Sequence, residues 1–412
     1  MSPVKTKSTR KAVIAPELLS PAGDLKKLEV ALEYGADAVY IAGKKLGMRA
    51  ACKNFDYGEL KAAALAAHCR RKKVYVALNI FPFDEDFGEV DEYLDYLSSI
   101  DVDGFIISDL GLINRAVKRT NIPVHVSTQA NVTNVETAKI YAGLGAKRIV
   151  LARELSLDRI ANLRAGLHKS VELEAFVHGA MCVSYSGRCL LSAYLSGRSA
   201  NRGECNQACR MRFAPEKGEV RASEECEKSL EFIEDDGTYV FGGNDLNMIE
   251  HISDLIAAGV ASFKIEGRVK SEYYVGCVTG AYRRAIDCVM RGEQLPTDVI
   301  AEPTKAQNRG FNTGFYYGNP VPQPQSDYYD FCGIVIENGK DGAVVEMRNR
   351  FKTGDVLEVM SPSDKHHNKS IEIPTMKDQD GNELTDAKVP LMRVTLTGIE
   401  LPPFSMLRRM RN

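Results

Sequence analysis

Four cysteines stand together in the middle of the chain: Cys182, Cys189, Cys205 and Cys209, spaced as C-x6-C, fifteen residues, then C-x3-C. Thiolates are soft ligands, and four that converge suit zinc or an iron–sulfur cluster. Structural zinc usually draws on tighter C-x2–4-C pairs on both sides, so the wide first spacing favours a cluster. From residue 182 to 213 the chain carries Arg188, Arg198, Arg202, Arg210 and Arg212 against a single acid, Glu204. Cations there lower thiolate pKa values, offset a cluster's negative charge and attract anionic substrates. Cys226 is the reserve ligand should Cys209 not bind. Cys52, Cys69, Cys277, Cys288 and Cys332 are scattered and read as core thiols.

His178 lies four residues before Cys182, so a thiol–imidazole nucleophile is the rival use of that cysteine. Three further clustered cysteines make the ligand role the better one. Walker A, G-x-S-x-G and H-E-x-x-H sequences are all missing from the chain.

Something must hold these groups, and the chain from 17 to 295 shows what. Short apolar runs at 17–20, 38–41, 74–80, 104–107, 124–127, 148–151, 172–177 and 262–265 alternate with amphipathic segments, among them 24–35 and 271–290. Gly35, Gly145 and Gly259 each stand just before a strand, as helix-ending glycines do. Eight strands alternating with helices predict a (β/α)8 barrel of the TIM type, with a doubly wound open sheet as its competitor. The alternation breaks after strand seven, where a Cys-rich insertion at 180–247, with a strand-like piece at 238–241, sits on the face that carries barrel chemistry. A basic tail at 1–16 is expected to be disordered, 296–327 to be a linker, and 328–412 to be a small all-β domain.

Strand ends on that face gather further polar groups. Glu174, His178, Glu266 and Arg268 are the catalytic candidates, and Arg49, Gln129, Arg153, Arg188 and Lys264 the substrate-binding ones. Within residues 264–268, alternation puts Lys264, Glu266 and Arg268 on one side, and a guanidinium offers the fork that a carboxylate or phosphate accepts.

Composition sets the class. The chain has 412 residues, 44% hydrophobic and 26% charged, with a formal net charge of −2. That balance argues against a protein that coats nucleic acid generally, although local basic patches remain available. No apolar run is long enough to span a bilayer, and the polar start shows no secretory signal. Ten cysteines then point to thiols or metal ligands in a reducing cytoplasm.

The run Glu174-Ala-Phe-Val-His-Gly-Ala-Met-Cys182 with Gly187-Arg-Cys-Leu-Leu-Ser192 resembles the signature of the collagenase-like peptidases, the thirty-second family of the "U" class. The resemblance extends from residue 17 into the C-terminal β domain. Residues 127–131, 201–210 and 264–268 are most similar to the tRNA-hydroxylating branch of that family. Met211 stands where these relatives often carry Trp. The resemblance implies oxygen-independent hydroxylation of the tRNA wobble uridine to 5-hydroxyuridine, a 4Fe-4S cluster and prephenate as the small anionic co-substrate. It implies tRNA as the partner, with a paralogous subunit as a second candidate. Other members act on an rRNA cytidine or are described as collagenases or peptidases. The small domain, with Arg408, Arg409 and Arg411 in its C-terminal tail, is expected to help bind RNA.

Overall fold

Short runs rich in Val, Ile and Tyr, too apolar to show a wet face, become parallel strands covered on both sides. The computed structural model describes residues 14–48, 53–210, 243–321, 323–325 and 328–411. In it the barrel strands are β1 (Glu17–Pro21), β2 (Ala38–Ile41), β3 (Lys73–Leu78), β4 (Gly104–Ile107), β5 (Val124–Val126), β6 (Arg148–Val150) and β7 (Glu172–Ala180). A short β8 (Asp245–Asn247) precedes the eighth barrel strand, β9 (Ser262–Ile265). Neighbours pair in order from β1 to β7, and β9 pairs in parallel with both β7 and β1. The ring is closed, which disposes of the open sheet.

The helices follow from local signals. The Asp24 carboxylate accepts from the Lys27 amide at 3.0 Å and caps helix Leu25–Glu33, whose Leu28, Val30, Ala31 and Leu32 are buried. Gly35 then takes a positive φ of 95°, where a Cβ would also meet the Arg283 side chain at 2.5 Å. One apolar layer lies between strands and helices, and a second, including Leu19, Tyr40, Tyr75 and Ile106, fills the barrel. No helix among the described residues is long and apolar enough to cross a membrane.

Described residues of the segment expected to be a linker lie against the barrel. Helix Thr297–Ala301 is followed by β10 (Phe311–Asn312), which pairs with β8, and β8 runs antiparallel to the end of β7. The Tyr316 hydroxyl donates to the Phe176 carbonyl at 2.6 Å. The strand-like piece at 238–241 falls outside the described residues, as does most of the basic tail.

The C-terminal part is an antiparallel eight-stranded sheet around Val335, Val345, Leu357, Val359, Leu396 and Leu407. Its strand Met406–Met410 lies between Val356–Met360 and Tyr329–Asn338. This overturns the reading of Arg408 as a free cation for RNA, while Arg411 stays exposed. Arg408 is fully buried, and its guanidinium donates to both Glu302 oxygens, to Glu358 and to Asn368. Arg409 donates to the Arg350 carbonyl at 3.0 Å. Burial alone would raise the Glu302 carboxyl, but Arg408 holds it at about 2.

That pair ties the segment after the long helix Glu272–Arg291 to the small domain, so its loss has a definite cost. Arg408→Met leaves Glu302 buried without its main partner, and should destabilise the fold by about 3–5 kcal/mol in urea melts. A melt within about 1 kcal/mol of wild type would contradict this. The sign in acid follows from the lowered Glu302 value. Its contribution is complete above about pH 4.5, the unfolded value, and is lost as pH falls towards 2.

Candidate functional site

Barrel strands end with their carbonyl ends facing one rim, and loops from that rim build the main pocket. It offers a cavity of about 140 Å³ and is lined by Tyr40, Asn79, Ser127, Gln129, Arg153, Phe176, Lys264, Glu266 and Arg268. All four insertion cysteines, Cys182, Cys189, Cys205 and Cys209, also line it. They are free thiols.

The insertion is pinned from two sides. On one, the Ser186 amide donates to Glu154 Oε1 at 2.5 Å, and Gly187 lies so close to the Gln129 carbonyl that a Cβ would meet it at 2.0 Å. Glycine is required there, at a φ of 71°. On the other, Arg202 donates to Asp86 at 2.7 Å and to the Phe81 carbonyl at 3.0 Å, with its guanidinium 4.1 Å over the Phe83 ring. Asn201 Nδ2 bridges the halves by donating to the Cys189 carbonyl at 3.0 Å. The first cysteine pair is thus carried by the loops after β5 and β6, and the second by the loop after β3.

As a donor set, four thiols around one cationic pocket fit an iron–sulfur cluster. Among the described residues, no three His, Cys, Asp or Glu side chains are already drawn into a metal-holding group. The four thiols line one pocket.

Beneath them lie the cations. Arg153 stacks 4.0 Å over Phe176, donates to the Ala180 carbonyl at 3.1 Å, and stands 3.8 Å from Glu266. Lys264 Nζ is 3.0 Å from Glu174 and 4.5 Å from the Tyr40 ring centre. Arg268 is 4% exposed and donates from Nη2 to the Met48 carbonyl. Three cations against Glu266 and Glu174 leave the protein walls net positive, which suits an anion.

Two of the four expected catalytic residues are not in the pocket. Glu174 is fully buried in its floor, held by Arg148 at 3.0 Å, Lys264 at 3.0 Å and Ser262 at 3.1 Å. Burial would raise its carboxyl, but Lys264 and Arg148 hold it below the usual range, so it is a fixed anion that aims Lys264. His178 is 1% exposed between β7 and the long helix, 3.4 Å from the Tyr282 hydroxyl and beside the Phe311 ring. Burial pushes its pKa down to about 4, so it is neutral at physiological pH. The cause of its outward turn is a β-bulge. Phe176 pairs with Lys264, yet His178 pairs with Ile265, so an extra residue reverses the inward–outward order.

Arg188 is exposed and does not line the pocket. Arg49, Cys226 and Met211 fall outside the described residues. Sequence reasoning missed Tyr40, Asn79 and Asn201 as site residues. Tyr40 and Asn79 stand at or just past strand ends, a signal that strand counting alone could have supplied.

Comparison with known proteins then places the chain. The model of Peptidase family U32 matches residues 23–326, and that of the Peptidase family U32 C-terminal domain matches 327–408. The chain is 36% identical over 409 residues to a tRNA hydroxylation protein of Bacillus subtilis, covering 96% of this chain and 94% of that one. It is 44% identical over 312 residues to an uncharacterized protease of Methanocaldococcus jannaschii, covering 74% of each. A 23S rRNA 5-hydroxycytidine synthase of Escherichia coli is 33% identical over 359 residues, covering 84% of this chain and 52% of that one. With both of its parts matched along nearly their whole length, the chain belongs to peptidase family U32.

Proposed function

We propose that this chain is an RNA hydroxylase which converts the wobble uridine of certain tRNAs to 5-hydroxyuridine in the cytoplasm, with prephenate as co-substrate. The observation that supports this reading is one pocket lined by four cysteines together with Arg153, Lys264 and Arg268. The names of the Bacillus and Escherichia relatives, both RNA hydroxylation proteins, support the reaction class.

Cys182, Cys189, Cys205 and Cys209 would hold a 4Fe-4S cluster. Such a cluster, when bound, supplies one-electron chemistry tuned by its thiolates and surroundings. The chain's own residues do the rest. Arg268 and Arg153 present forks to the co-substrate's carboxylates, and Lys264 adds a point charge between them. Glu266 holds Arg153, and Tyr40, whose hydroxyl is 3.4 Å from Glu266, walls the pocket.

A thiol peptidase needs a base beside its nucleophile. The imidazole nearest to Cys182 in the chain, His178, is buried against Tyr282 instead, which favours the hydroxylase. Mass spectrometry of tRNA nucleosides from a deletion strain tests the proposal. 5-Hydroxyuridine and its derivatives should disappear and return with the wild-type gene. An unchanged nucleoside profile in the deletion strain would refute it.

A further inference from the structure

The insertion that carries the cysteines also carries an unexplained surface. Exposed large apolar residues are a cost in water unless something covers them. Among the described residues, Val183, Tyr185, Leu190, Tyr194 and Leu195 are all exposed, and all fall within one short stretch. Tyr194 is 87% exposed, Leu190 72% and Tyr185 66%.

Their placement is ordered. Helix Leu191–Ser196 turns Leu191 and the buried Ser192 to the pocket, where the Ser192 hydroxyl lies 3.8 Å from Cys205 Sγ. Tyr194 sits one helical turn after Leu190, its amide donating to the Leu190 carbonyl, so the two share the outward face. Tyr185 is on the other half of the insertion, where the Arg188 amide donates to its carbonyl in a tight turn. The tyrosines therefore flank Cys189 on either side in the chain, at the mouth of the pocket and outside it.

In the stretch from 182 to 210 the charge beside them is mostly positive. Arg188 and Arg198 are exposed on the same insertion. Between residues 182 and 210 the one acid, Glu204, already accepts from the Ser199 amide at 3.1 Å. Exposed tyrosines interleaved with arginines are the composition by which proteins hold unpaired nucleotides: rings stack on bases while guanidiniums meet phosphates. A target base in a folded RNA must also leave its stack before it can enter a pocket.

We infer that the outer face of the insertion is the docking surface for the single-stranded loop of the RNA substrate. Tyr185 and Tyr194 stack on the nucleotides flanking the one inserted in the pocket, and Arg188 and Arg198 pair with their phosphates. This rests on the RNA-hydroxylase reading and assigns its substrate-recognition residues. It also gives Arg188 a role at the rim.

The test uses the full-length, anaerobically purified protein and unmodified tRNA transcript, with dissociation constants measured over a salt series. Tyr194→Ala and Tyr185→Ala should each weaken binding by about tenfold or more, because stacking on one base is lost. Tyr194→Phe, which keeps the ring, should bind within about twofold of wild type. Arg188→Ala should weaken binding and lower the salt slope by about one. Ile140→Ala, an exposed apolar residue on a barrel helix, should change nothing. Iron content and melting temperature of each variant show that the insertion is intact. If wild type binds tRNA and both Tyr→Ala variants bind equally well, this inference is wrong while the proposed function stands. If those variants keep RNA affinity but change sedimentation, the face belongs to a second copy of the chain, and the inference is again overturned. Wild-type protein that binds no RNA would overturn both.

Discussion

Replacing any one of Cys182, Cys189, Cys205 and Cys209 by Ala is expected to remove most of the iron and sulfide from anaerobically purified protein. Four thiolates sharing one cluster would act together, because the metal would organise the very loops that supply them. Binding worth about 10–16 kcal/mol, as in small four-ligand metal sites, gives each ligand a share of about 2.5–4 kcal/mol, or roughly two to three orders of magnitude in affinity. The structure explains why neither pair should suffice. Cys182 and Cys189 are carried by contacts to Glu154 and Gln129, whereas Cys205 follows the Arg202–Asp86 anchor on the opposite side of the mouth. The barrel should survive each substitution, since none of the four thiols contributes to its apolar layers. Wild-type iron in all four variants would sink the assignment. Loss in only Cys182, Cys189 and Cys205 would turn attention to Cys226.

The barrel was legible because buried parallel strands and helix-ending glycines leave period and punctuation in the chain. Gly35, Gly145 and Gly259 all adopt positive φ. Closure was not legible, because it depends on β9 pairing with both β1 and β7, a long-range fact that no local pattern encodes. The pocket was legible in part for the same reason. Lys264, Glu266 and Arg268 follow simple alternation and line it, whereas His178 does not because one bulged residue shifts the parity of β7. Glu174 obeys alternation yet lies a layer too deep, under Lys264. Arg408 shows the remaining difficulty. An arginine in a short cationic run near a terminus reads as solvated, and only the fold reveals that Glu302 and Glu358 pair with it in the core.

Arg268→Lys is expected to abolish most 5-hydroxyuridine formation while leaving the fold and the iron in place. Arg268 emerges just past β9, the neighbour of the strand β7 that leads into the cysteine insertion, and lines the pocket although only 4% of its surface is exposed. A guanidinium so buried, in a wall that already holds Arg153 and Lys264, sits in a positive field that an anionic ligand relieves. Its fork can engage both oxygens of one carboxylate, which an ammonium cannot copy. The rival account is structural, for Nη2 also donates to the Met48 carbonyl and so braces the loop after β2. Lysine separates the two. It retains the positive charge and one donor for Met48, so a brace should tolerate it within about 1 kcal/mol of stability. A binding fork should not, because losing one charge-assisted hydrogen bond of about 1.5–3 kcal/mol lowers turnover by about ten- to a hundredfold. The measurements are nucleoside mass spectrometry from complemented cells, iron content and a thermal melt of the same variant. Near-normal 5-hydroxyuridine in cells carrying Arg268→Lys would take Arg268 out of the substrate site. A collapse of the melt with parallel loss of iron would assign it to the brace alone.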